Sequence, residues 1–102
     1  MVHNTKNVYS EAHLVIEGSG EQKILSEYFD GGTPSEVFVN EVKYENCSKT
    51  CYLLGDKSNI TLSFHYEINS CHKMFYYVDN MIEIDLSNFD FSKVESFKHM
   101  FY

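Results

Sequence analysis

Five histidines, fifteen carboxylates and three cysteines are the residues of this 102-residue chain whose side chains could do chemistry. A metal site needs several of them to converge in a fixed geometry. His72 and His99 sit one position out of step in "CHKMF" and "FKHMF", while His13 and His65 flank the runs "HLVIEG" and "NITLSF". No ligand spacing joins them, so no metal ligand is assigned. Glu83 and Asp85 alternate along "MIEIDLS" and share a strand face that Glu17 extends. Paired carboxylates serve acid–base catalysis when burial or a nearby charge shifts one of them. Neither surrounds this pair in the sequence, which reads as a solvated acidic face. The glycines of "GSG" at 18–20 and "GG" at 31–32 precede no phosphate-loop lysine. No catalytic residue and no cofactor is therefore expected, and the chain reads as a non-enzyme.

The cysteines stand at 47, 51 and 71. Cys47 and Cys51 enclose "SKT", which admits either a small disulfide loop or two separate thiols. Their spacing is not that of a zinc knuckle or a redox Cys-x-x-Cys pair. Asn46 and Asn59 head the glycosylation patterns Asn46-Cys47-Ser48 and Asn59-Ile60-Thr61. Both features point to a secreted or cell-surface setting, although "MVHNTKNVYSEAH" has neither the basic start nor the apolar run of a signal peptide.

The elements that must position these residues are legible as period. Four runs alternate apolar and polar residues, the mark of half-buried strands. They begin at His13, Glu36, Asn59 and Met81. Leu14, Val37, Ile60 and Ile82 are separated by 23, 23 and 22 residues, and Ile16, Val39, Leu62 and Ile84 repeat those spacings. Outward positions then fall to Phe38, Asn40, Ser63, Glu83 and Asp85 among others. Strands returning at constant spacing predict a solenoid in which stacked coils share one apolar ladder. The competing arrangement is an antiparallel meander of evenly spaced strands. Between strands, "INSCHKMF" from Ile68 aligns with "VESFKHMF" from Val94. Apolar residues at offsets of zero, three, six and seven predict a short helix in each, with Ser70 and Ser92 near its start. Cys71 then takes the buried slot that Phe97 fills in the next coil. "EQKILSEYF" predicts another short helix, and "DGGTPS" a turn.

The stretch "MFYYVDNMIEIDLSNFDFSKVESFKHMFY" resembles the units of BspA-like leucine-rich-repeat proteins. Met74, Phe75, Met81, Ile84, Asp85, Leu86, Ser87, Phe89, Asp90, Ser92, Val94, Met100 and Phe101 carry the likeness. Val78 and Phe97 depart from the pattern, each by another apolar residue. The resemblance covers about the last third of the chain. It implies large surface-exposed or secreted repeat proteins tied to adhesion and protein binding, and it brings no catalytic residues.

These readings combine into an α/β expectation: a leucine-rich-repeat-like solenoid with about four short parallel strands on one face and short helices on the other. Residues 1–102 form one domain, with 1–58 as atypical N-terminal coils or a cap and 59–102 as a repeat that breaks off where its next turn begins. The expected function is protein or glycan binding through Phe38, Asn40, Ser63, Glu83 and Asp85. The alternatives are a purely structural cap and, third, an enzyme whose site the sequence hides. A net charge of −7 without a Lys/Arg run excludes nucleic acid as a natural partner, and no apolar run is long enough for membrane insertion. Phe91, Phe97, Met100, Phe101 and Tyr102 have no following strand to cover them, which predicts self-association through the C-terminal coil or marginal folding.

Overall fold

The computed structural model describes residues 8–101. Each alternating run is a strand: β1 (Ser10–Glu17), β3 (Glu36–Val39), β6 (Lys57–Phe64) and β7 (Met81–Asp85). Three short strands complete the set, namely β2 (Gly20–Lys23), β4 (Val42–Tyr44) and β5 (Thr50–Leu53). The main sheet runs β4-β3-β6-β1-β7, every neighbour antiparallel, and β2 pairs with β5 in a separate ribbon.

This corrects the solenoid. The described chain is all-β with no helix, and its sheet is antiparallel. The physical reason is that alternation fixes which face of a strand is buried but leaves its direction open. Leu14, Val37 and Ile60 do face inward together, as do Ile16, Val39 and Leu62. They meet, however, through β6, which lies between β3 and β1 and runs against both, so that Ile60 stands opposite Val39 and Leu14, and Leu62 opposite Val37. The sheet is not a meander either, because β3 reaches β6 and β6 reaches β1 across long stretches of chain. The proposed division at residue 58 falls inside β6.

The fourth strand departs from the expected column. The β1–β7 register shifts between Val15 and Ile16, so Met81 stands opposite Ile16 and Ile84 opposite Leu14. A bulge of this kind leaves one residue without a partner. That residue is Ile82, which turns out to 44% exposure in place of its inward slot.

No helix forms over 24–29, 68–75 or 94–101. Lys73 and His99, equivalent positions in the two aligned segments, adopt left-handed φ of 56° and 52°, and each interrupts the run of turns. Backbone N–H groups there reach across to the next segment: Cys71 to the Ser96 carbonyl (2.9 Å), Lys73 to Lys98 (3.0 Å) and Phe75 to Met100 (2.7 Å). The Phe75 and Phe101 rings stack at 5.8 Å. Ser70 closes a local turn, its Oγ accepting from His72 N–H at 3.1 Å, in place of capping a helix.

These turns and the β2–β5 ribbon cover the inner face of the sheet. Ile24, Leu25, Leu53, Ile68, Cys71, Met74 and Phe75 from the cover join Leu14, Ile16, Ile60, Leu62 and Phe64 from the sheet in one apolar core. Phe97 does not fill the slot equivalent to Cys71; at the end of the stack it is 52% exposed, and Phe101 48%. Met100 is buried and Phe91 half-buried, while Tyr102 lies outside the described residues. Cys47, in the loop joining β4 to β5, is bonded to Cys51 of β5, with Cα atoms 4.8 Å apart.

Candidate functional site on the outer sheet face

The odd-numbered residues of β1 and β6 point away from the core, and register lines them up across strands. Phe38, Thr61, His13 and Asp85 form one row from β3 to β7. Glu36, Ser63 and Glu11 form a second, and Asn59, Val15 and Glu83 a third. The centre of this face is a shallow hollow of about 610 Å³, lined by Glu11, His13, Asn59, Thr61, Glu83 and Asp85 with Glu41 at its rim.

His13 is the hub. Its Nδ1 lies 3.1 Å from Thr61 Oγ1, and its Nε2 lies 3.3 Å from Glu11 Oε1. Glu11 Oε2 in turn accepts from the buried Ser63 hydroxyl at 3.3 Å. At one end Glu36 is held from two sides, by Lys43 Nζ at 3.3 Å and His65 Nε2 at 3.1 Å. At the other, Asp85 accepts hydrogen bonds from the hydroxyl and the N–H of Ser87, which hold its carboxyl below the usual carboxylate range; the charge of His13 adds to this.

The five residues expected to form a binding face have different fates here. Glu83 and Asp85 are exposed on edge strand β7. Ser63 is buried and committed to Glu11. Phe38 is buried, although it is on the outer side of β3. Asn40 and Glu41 form the two-residue turn between β3 and β4, with φ of 50° and 70°, as a twisted hairpin requires. Asn40 clamps that turn to β6: its N–H donates to the Asn59 carbonyl (2.7 Å) and its Oδ1 accepts from Asn59 N–H (2.9 Å). Glu11, His13, Glu41 and Thr61 were missed. Alternation would have found Glu11 had the first strand been started three residues earlier, at Ser10.

Of the proposed glycosylation positions, Asn46 is exposed beside the disulfide, and Asn59 is exposed on the outer face, two residues from Thr61. Compared with protein-family models, curated proteins and solved structures, this chain finds no match.

Thr61, His13 and Glu11 stand in the order hydroxyl, imidazole, carboxylate, the order used by nucleophilic hydrolases. Acyl transfer also needs amide donors aimed at a developing oxyanion. Around Thr61 the β6 amides are taken by the ladders to β1 and β3. The three side chains form a cross-strand polar clasp on an open surface. Among the described residues, no group of three or more His, Cys, Asp or Glu is arranged to hold a metal ion. Cys71 is fully buried, and burial pushes its thiol up to about 11, far from nucleophilic use.

Proposed function

We propose that this protein is a recognition module whose outer sheet face holds a lysine- or arginine-bearing segment of a protein partner. The observation that carries this reading is the charge of the hollow: Glu11, Glu41, Glu83 and Asp85 surround it, and among the described residues His13 is the only imidazole in its lining and no lysine lines it. A cationic side chain entering the hollow meets preplaced carboxylates, which steer encounter and fix register. The Cys47–Cys51 bond fits an oxidising compartment. The motif resemblance of residues 74–101 supports a surface or secreted role in adhesion. The test is titration of the labelled protein with a Lys/Arg-rich peptide, followed by backbone amide shifts. Shifts should map to β1, β6 and β7, and Glu83→Lys with Asp85→Lys should weaken binding at least tenfold. Unchanged affinity in the double variant would exclude this face.

A second reading rests on a separate observation, the exposure of Ile82 on edge strand β7 and of Phe97 and Phe101 in the last turn segment. Edge strands with exposed apolar residues associate, so copies of the chain pair through the β7 side. Light scattering should show mass rising with concentration, and Phe97→Ser with Phe101→Ser should abolish the rise. A monomer at all concentrations would rule the pairing out.

A further inference from the structure

The side of the molecule formed by the turn segments carries a second set of groups that the sheet face does not use. Tyr76 and Tyr77 lie with ring centroids 4.2 Å apart, and Tyr28 meets Tyr76 edge-on at 6.1 Å. Lys73 Nζ sits over both rings of the latter pair, 5.1 Å from Tyr76 and 5.6 Å from Tyr28. Tyr28 and Tyr77 remain 53% and 47% exposed. Tyr77 has φ of 62°, a conformation unfavourable for a bulky residue and one that clusters at functional sites. The left-handed backbone sets the direction of its ring.

Beside Tyr77 is a small hollow of about 290 Å³ whose other walls are Glu21, Gln22, Lys23, Asp79 and Asn80. Its amides are fixed in a chain: Asn80 Nδ2 donates to Gln22 Oε1, and Gln22 Nε2 donates to the Ser19 carbonyl at 2.8 Å. Lys23 is drawn toward Glu27 at 3.8 Å. The hollow therefore combines one exposed aromatic ring, preplaced planar amide and carboxylate groups, and a negative balance from Glu21 and Asp79.

From this combination we infer that the Tyr77 hollow binds a neutral saccharide, one pyranose ring at a time. The C–H face of a sugar ring packs on an aromatic ring, and paired hydroxyls donate to a carboxylate such as Asp79 and exchange hydrogen bonds with amides such as Asn80 and Gln22. The negative balance disfavours sulfated or carboxylated sugars and acidic peptides. Tyrosines locked by neighbouring rings lose little conformational freedom on contact, which suits them to such a role. The hollow is separate from the outer sheet face, and neither inference depends on the other.

The test uses the full chain with a panel of methyl glycosides of glucose, galactose, mannose and N-acetylglucosamine at tens of millimolar. Saturation-transfer NMR and backbone amide shifts report binding. At least one glycoside should bind with about millimolar affinity and shift the amides of Tyr77, Asp79 and Asn80. Tyr77→Asn, a residue that tolerates left-handed φ, and Asp79→Asn should each weaken it at least tenfold while the remaining amide spectrum is kept. No binding by any glycoside, shifts confined to another region, or unchanged affinity in both variants would each overturn the assignment.

Discussion

The sheet and the turn stack both bury apolar residues and handle their backbones differently. In β1 and β6 every second side chain is in the core, and the intervening N–H and C=O groups find partners in neighbouring strands. In 68–75 and 95–101 the apolar residues are just as regular, but their backbone groups alternate between three-residue turns and bonds to the adjacent segment. One apolar core thus rests on two kinds of backbone. The sheet is closed over by its neighbours at the centre, whereas the stack ends on a segment with two half-exposed phenylalanines. This makes the sheet a rigid platform for its outer face and leaves the last segment softer than the sheet.

The largest expected difference is in stability. Phe64 is fully buried and meets Phe89 edge-on at 6.0 Å; Phe64→Ala should cost about 3–5 kcal/mol in urea unfolding. Phe101→Ala should cost only about 1 kcal/mol, because half of that ring already faces water. Equal costs would erase the distinction between platform and stack end. Hydrogen exchange should agree, with β6 amides exchanging roughly a hundredfold more slowly than those of 95–101.

Smaller effects sharpen the same contrast. Reducing the Cys47–Cys51 bond should lower stability by about 2 kcal/mol, the modest amount a short loop allows, and leave β6 the most protected strand. Glu41→Gly should raise the unfolding free energy by about 1 kcal/mol, since glycine adopts the left-handed φ of 70° without penalty. Two exposed carboxyls, Asp85 and Asp90, are held low by hydrogen bonds from Ser87 and Ser92 respectively. A lowered folded-state pKa favours the fold above the ordinary carboxylate range and loses that contribution as pH falls. Acid titration should therefore loosen the β7 region first, below about pH 4, and Ser87→Ala should move that transition upward. Smallest of all, native Cys71 should resist iodoacetamide and become reactive only on unfolding.

Strand positions and the inward columns at 14, 37 and 60 were legible because alternation follows from side-chain geometry alone. Direction was not, since antiparallel pairing about β6 buries the same residues as a parallel stack while crossing their columns, Val37 against Leu62 and Val39 against Ile60. The turn segments misled for a related reason. Offsets of zero, three, six and seven suit one face of a helix, but successive three-residue turns space side chains in the same way. The deciding feature, left-handed φ at Lys73 and His99, belongs to residue types that do not announce it. β2, β4 and β5 are three or four residues long and take their partners from tertiary context. At the site, Glu83 and Asp85 were readable as outward residues, while the His13 clasp needed β1 and β6 to be brought together.

The placement of β1 between β6 and β7 has a consequence for how the chain reaches this state. Its first hydrogen-bonding neighbour in the sheet is made some 48 residues later, at the level of His13 and Thr61, and Ser10 waits 80 residues for the Asp90 N–H that its hydroxyl accepts. Contacts so distant in sequence must be closed against chain entropy before they stabilise anything, which places folding on the slow, millisecond-to-second side. During synthesis, "AHLVIE" emerges early and remains without its sheet until most of the chain is out. That interval is when a chaperone, or an unwanted copy of the same strand, has its opportunity.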